Sequence, residues 1–253
     1  MLTQRDFPGP PTTRFSVIRL VSETGSTNRD LLDRAADAAS QNQPIEEGAV
    51  LVTDHQTAGR GRQGRIWLDQ PGASLLTSVL LRPAPDWAPL VPLLTGLAIA
   101  DGLRAIADVE VGLKWPNDVL TTDERKLAGI LTEATSGRSG LTVVTGFGVN
   151  LRWTDGPPAG VPAVDLATLV VDPPERFDLL TAILVELEGR LRQIEDGDRA
   201  GILDSYRTRC ISIGRRVRLA TPSGDVIGDV VAVDDNGHLV IAKLDGGEVA
   251  VSA

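Results

Sequence analysis

Between Asp54 and Asp69 the chain carries three arginines, Arg60, Arg62 and Arg65, interleaved with three glycines, Gly59, Gly61 and Gly64, and no acid. The protein as a whole has a formal net charge of -9. Guanidinium groups held this close repel one another unless an anion sits among them. Glycine lets backbone N–H groups approach that anion, and arginine offers a planar fork for phosphate or carboxylate. The stretch reads as an anion clamp; the plainer alternative is a flexible basic surface loop. The only carboxylates near it in sequence are the flanking Asp54 and Asp69. Without a ligand the clamp should therefore be mobile, and an anion should close it.

Gly59-x-Gly61-x-x-Gly64 also spells the dinucleotide-binding fingerprint. That motif needs a helix to start at its glycines. Here Pro71-Gly72 marks a turn and residues 74–81 read as a strand, with no helical period between. A phosphate loop of the Gly-Lys-Ser or Gly-Lys-Thr kind occurs nowhere.

Three further stretches combine unusual residue types. They are Ser26-Thr27-Asn28, Lys114-Trp115-Pro116-Asn117-Asp118, and Lys126-Leu127-Ala128-Gly129-Ile130-Leu131. Lysine is scarce, with only Lys114, Lys126 and Lys243 among the 25 basic residues. The first two lysines mark places where a compact ammonium does what a guanidinium cannot. Taken singly, each stretch has an ordinary explanation. Ser26 or Thr27 caps a helix with Asp30 completing a capping box, Asn117-Asp118 makes a turn, and Lys126 is a surface charge.

The elements that must position these residues follow from periodicity. Residues 1–15, polar and with three prolines, read as a disordered lead-in. Residues 17–21, 49–53 and 74–81 read as strands, and 28–40 as a helix with an apolar stripe. Residues 87–107 read as a long buried helix with Pro92 near its start. Strands follow at 111–115, 119–120, 126–132 and 141–145, the last closed by residues 146–150. A proline-rich segment spans 155–174, and helices are expected over 176–194 and 200–208. From residue 213 short apolar runs alternate with turn signals, which is the texture of a small antiparallel barrel packed on the main domain.

Composition excludes several classes. A sequence pI near 4.8 argues against general nucleic-acid binding. No uninterrupted apolar run has the length of a membrane span, and the N-terminus lacks the apolar core of a signal peptide. One cysteine, Cys210, and two histidines make no disulfide framework and no zinc site of His and Cys ligands. These features place the chain in the cytoplasm.

Together, in this order and spacing, the four stretches resemble the biotin protein ligases. GRGRQGR at 59–65, KWPND at 114–118 and KLAGIL at 126–131 match that family's signature blocks, and the likeness runs from about residue 17 to the end. The resemblance implies an α+β fold: a mixed β-sheet flanked by helices, as in class II aminoacyl-tRNA synthetases and biotin/lipoate ligases, then a C-terminal SH3-like β-barrel. The implied division is a lead-in (1–15), a catalytic domain (16–210) and the barrel (211–253). The implied reaction joins biotin to AMP at the expense of ATP, then passes biotin to a lysine of a biotin carboxyl carrier protein. Lys126, Asp118 and Arg62 would be catalytic. Ser26, Thr27, Asn28, Gln56, Gly59, Arg60, Gly61, Arg62, Lys126, Gly129 and Gly146 would bind biotin. Arg60, Arg62, Arg65, Trp67, Lys114, Asn117, Asp118, Lys126 and Asn150 would hold ATP or the adenylate. Asp118 would bind Mg²⁺ or, alternatively, act as general base; no prosthetic group is implied. Only about 16 residues precede the first expected strand, so a DNA-binding N-terminal domain and specific DNA binding are not expected. Oligomeric state, monomer or homodimer, stays open. The rival readings are a lipoate ligase or octanoyl transferase, an Arg-Gly RNA-binding protein, and a protein that binds biotin without turning it over.

Overall fold

The computed structural model describes residues 4–43, 45–137, 140–158, 160–221 and 224–252. In chain order the strands are β1 (Gln4–Pro8), β2 (Val17–Val21), β3 (Val50–Thr53), β4 (Ser74–Leu81), β5 (Val111–Lys114), β6 (Asp118–Thr121), β7 (Lys126–Gly137), β8 (Gly140–Asn150), β9 (Arg216–Thr221), β10 (Gly224–Val233), β11 (Leu239–Lys243) and β12 (Glu248–Val251). The helices are α1 (Thr27–Ser40), α2 (Val91–Ala107), α3 (Leu166–Leu169), α4 (Arg176–Glu195) and α5 (Arg199–Arg209).

Strands β1 to β8 make one sheet in the order β1-β2-β3-β4-β8-β7-β6-β5. Only β2 and β3 run parallel, joined by α1; the other pairs are antiparallel. Every residue of β4 is buried, because a helix layer covers each face of the sheet there. That is why its sequence is a continuous run and not an alternation. On one face Leu80 meets Leu31 and Ala35 of α1. On the other, Leu75, Val79 and Leu81 join α2 and α4 in the main core.

Helix α2 follows a short 3-10 turn, Ala88–Leu90, and Pro92 sits in its first turn. Among the described residues Ala88–Ala107 is the one helical stretch long and apolar enough to cross a membrane, with mean hydropathy 1.6. Here it is the core helix; Leu94, Leu97, Ala98 and Ile99 are fully buried. A helix apolar on all sides is what a position between a sheet and other helices requires.

The N-terminal segment corrects the sequence reading. Residues 1–3 of the expected lead-in lie outside the described residues, but Gln4–Pro8 pair antiparallel with β2. Phe15 is fully buried. Arg14 bonds Glu47, Glu188 and Glu195, tying the segment to α4. An edge strand keeps one side in water, so polar residues and a terminal proline are compatible with it. The capping box is also absent. Ser26 is the N-cap of α1 without a side-chain bond, and Asp30 accepts from the Thr24 hydroxyl instead.

Strands β9 to β12 form a separate antiparallel sheet, the small barrel-like unit expected at the C-terminus. It shares the main core: Val230, Val233, Leu239 and Ile241 are almost fully buried in it. Trp115 fastens the two parts. Its indole N–H donates to the Gly237 carbonyl (3.0 Å) and its backbone N–H to the Ser212 hydroxyl (3.0 Å).

Candidate functional site

The pocket lies on the α1 face of the sheet, where β4, β8 and β7 run side by side. Gly129, on β7, pairs with Gly148, on β8, and neither carries a side chain to cover the backbone. The indole of Trp67 lies over both. A Cβ at Gly148 would meet Trp67 Cζ2 at 2.6 Å, and one at Gly129 would meet Cζ3 at 2.9 Å. Glycine is required here for close approach and not for unusual dihedrals. Ser26, Thr27 and Asn28 wall one end, at the start of α1, with Gln56 beside them; Arg60, Gly61, Asn117 and Lys126 stand at the other sides. The space between is about 470 Å³, partly open to solvent.

Bridging hydrogen bonds hold the α1 end rigid. The Ser78 hydroxyl sits 2.6 Å from Asn28 Oδ1 and 2.7 Å from Thr27 Oγ1. Thr27 donates its backbone N–H to Gln56 Oε1 (2.9 Å). Asn28 donates through Nδ2 to the Leu131 carbonyl (2.9 Å) and to Glu133 Oε2 (2.9 Å).

The arginine loop is a tight turn. Gly61 N–H donates to the Arg65 carbonyl (2.8 Å) and Trp67 N–H to the Gly59 carbonyl (3.0 Å). Gln63 and Gly64, at φ 55 and 73, make the reversal. This turn sends Trp67 inward while Ile66 is 73% exposed. The expectation that the loop's charge is unopposed needs correcting for Arg60. Its Nη2 lies 2.8 Å from Glu133 Oε2, an acid 73 residues away in sequence. Asp54 and Asp69 are engaged elsewhere, with Arg176 and His55. Among the described residues Arg62 and Arg65 show no ion-pair partner. Burial depresses the pKa of Arg62, the field of Asp118 partly offsets this, and neighbouring Arg65 adds to the depression. A cation destabilised in this way gains from any anion brought beside it.

Lys126 opens β7. Its ammonium donates to Asp118 Oδ1 at 2.6 Å and lies 5.5 Å from the centre of the Trp67 ring, within cation–π range. Its backbone is fixed on both sides. The N–H donates to the Pro162 carbonyl (2.8 Å), and the carbonyl accepts from Val164 N–H (3.0 Å) and Asn150 Nδ2 (3.2 Å).

The structure thus brings eleven of the sequence-predicted residues to one pocket: Ser26, Thr27, Asn28, Gln56, Arg60, Gly61, Trp67, Asn117, Lys126, Gly129 and Gly146. Asp118 reaches it through Lys126. Gly59, Arg62 and Arg65 belong to the loop around it without lining it. Lys114 is exposed on β5. Asn150 is buried and braces Lys126 and Val164 through its amide. Asn117, besides lining the pocket, exchanges hydrogen bonds with the Ile130 backbone. Sequence reading passed over Ser78, Glu133 and Gly148. Gly148 and Glu133 each stand at even spacing from a residue it did select, Gly146 and Gly129, so the two-residue period of a strand puts each on the same face. Cys210 is buried and lines no part of the pocket. Burial raises its pKa, which keeps the thiol protonated.

The chain resembles known proteins over most of its length. Residues 23–150 match the model of the Biotin/lipoate A/B protein ligase family, and residues 212–253 match the Biotin protein ligase C terminal domain. The chain is 42% identical over 243 residues to the biotin--[acetyl-CoA-carboxylase] ligase of Mycobacterium tuberculosis, covering 92% of this chain and 86% of the relative. It is 31% identical to the bifunctional ligase/repressor BirA of Escherichia coli, covering 89% and 71%. Among solved structures, the biotin protein ligase of Aquifex aeolicus in complex with biotin and ATP superposes with a TM-score of 0.77 at 25% identity, over 92% of this chain and 94% of that one.

Proposed function

The chain belongs to the biotin protein ligases of the biotin/lipoate A/B protein ligase family, and from that membership we propose how its pocket does the work. It is an ATP-dependent ligase that activates biotin and attaches it to protein. A biotin carboxylate oxygen attacks the α-phosphorus of ATP, forming biotinoyl-5′-AMP and releasing pyrophosphate. The ε-amine of a lysine on a carboxyl carrier protein then attacks the acyl carbon and expels AMP.

The observation that carries this reading is the make-up of one pocket. The indole seated on the glycine floor offers apolar surface to a ring, a polar end at Ser26, Thr27 and Asn28 accepts an amide-like group, and Lys126 and Arg60 face the remaining side. Biotin has that sequence of parts: a polar ureido, a fused ring and a chain ending in carboxylate. Lys126 offsets charge on the carboxylate and α-phosphate as they meet, with Asp118 aligning its ammonium. Arg62 and Arg65 supply the unpaired positive charge for the phosphates, and loop closure keeps water from the mixed anhydride. Asn150 and Asn117 act by holding the strand that carries Lys126.

Among the described residues no three metal-ligating side chains cluster, and Asp118 is committed to Lys126. Mg²⁺ belongs with the nucleotide's phosphates, as part of the substrate. The net charge of -9 disfavours general nucleic-acid binding, and a cytoplasmic location fits an enzyme that uses ATP and a carrier protein.

The test is biotin-dependent exchange of labelled pyrophosphate into ATP, followed by transfer to a carrier domain detected by intact mass. Exchange that is absent, or that lipoate drives as well as biotin does, refutes the assignment.

A further inference from the structure

Glu133 lies seven residues beyond Lys126, on the face of β7 that also carries Gly129 and Leu131. Its Oε2 accepts from two pocket residues on different segments: Arg60 Nη2 at 2.8 Å and Asn28 Nδ2 at 2.9 Å. Asn28 has other anchors, the Leu131 carbonyl and the Ser78 hydroxyl. The carboxylate is therefore held at its strand and at its Asn28 side, and Arg60 is the partner free to move. We propose that Glu133 is a positioning residue that acts through Arg60. It fixes that guanidinium at the pocket wall and so ties the arginine loop to the rigid end of α1.

The arrangement also divides labour among the loop's arginines. Glu133 offsets the charge of Arg60, which then serves as a strut. Arg62 and Arg65 keep their charge for an anionic ligand. Both partners are partly exposed, with Arg60 at 40% and Glu133 at 27% of the side chain, so water screens the pair. Its loss should change affinity severalfold, not by orders of magnitude.

The inference rests on the ligase reading for its kinetic test and is independent of it for its proteolytic one. Glu133→Gln keeps an acceptor for Asn28 and removes the charge facing Arg60. In biotin-dependent pyrophosphate exchange, the KM for biotin should rise about threefold to tenfold with kcat within about twofold. Glu133→Asp, with a shorter reach, should give a smaller rise. In an Arg60→Met background the Glu133→Gln change should have no further effect. Without substrates, trypsin should cut after Arg62 and Arg65 several times faster in Glu133→Gln protein than in wild type. A KM that is unchanged or lowered overturns the proposal; a lowered value would mean that Glu133 competes with the substrate for Arg60. So does an equal rise in the Arg60→Met background, or an unchanged cleavage rate. Wild-type protein without biotin-dependent exchange would refute the ligase reading, while the cleavage comparison would still judge Glu133.

Discussion

Gly148→Ala adds one methyl group at the floor of the pocket, beneath Trp67. In the structure that carbon would sit 2.6 Å from Trp67 Cζ2 and 2.8 Å from Cε2. Carbon atoms rest at about 3.6 Å, so the indole must retreat by about 1 Å into the space a ligand needs. The strand cannot give way instead, because Gly148 is paired on both sides, with Leu76 of β4 and Gly129 of β7. Trp67 is borne by the arginine loop, so its retreat also lifts that loop. A displacement of about 1 Å at a reacting centre costs about 100-fold in rate, and kcat/KM for biotin-dependent pyrophosphate exchange should fall by about that factor. Stability should suffer little, about 1 kcal/mol, because a ring at the wall of an open pocket relieves the clash by moving. The control is the same substitution in Trp67→Leu protein, where the clashing atoms are gone. There Gly148→Ala should cost less than about twofold. An equal loss in both backgrounds would refute the idea that the glycine is there to seat the indole.

Lys126→Met should reduce pyrophosphate exchange by about 10² to 10³ while leaving the melting temperature within a few degrees, since it removes one partly exposed ion pair; near-normal exchange would remove Lys126 from the chemistry. Cys210→Ser should retain full ligation, because burial keeps the thiol protonated and away from the pocket; an acyl-enzyme seen by intact mass and lost in the variant would contradict this. Arg14→Met should destabilise the protein by about 2 kcal/mol at neutral pH by leaving Glu188 underpaired. Burial works to raise the Glu188 pKa, but the backbone and guanidinium of Arg14 and the guanidinium of Arg192 outweigh it and hold it below the ordinary 4.5. A depressed carboxylate stabilises the fold above its ordinary pKa and loses that contribution as pH falls through the folded value. The stability gap between Arg14→Met and wild type should therefore shrink below pH 4.5, as followed by melting at stepped pH; a gap independent of pH would refute it.

The parts of this molecule that were legible in sequence are those whose environment repeats along the chain. Strand Ser74–Leu81 is covered on both faces, and its unbroken apolar run said so. Helix α4 has one buried stripe and showed it as Leu180, Ile183, Leu184, Leu187 and Leu191. The site motifs were legible because rare residue types cluster in them. What escaped depends on partners far away in the chain. Glu133 looks like any strand glutamate until folding sets it against Arg60 and Asn28. The polar N-terminal residues became a strand because β2 offered an open edge. The bonds that Asn150 Nδ2 donates to the Lys126 and Val164 carbonyls likewise join segments far apart in the chain.

The bonds from Trp115 to Ser212 and Gly237 also bear on the order in which the enzyme comes into being. Every residue that lines the pocket lies between positions 26 and 148 and leaves the ribosome first. The β5–β6 turn, which carries Asn117 and Asp118 to Lys126, meets its last braces only when residue 237 has been made. The order of synthesis thus puts the pocket's lining residues ahead of Ser212 and Gly237, which brace that turn.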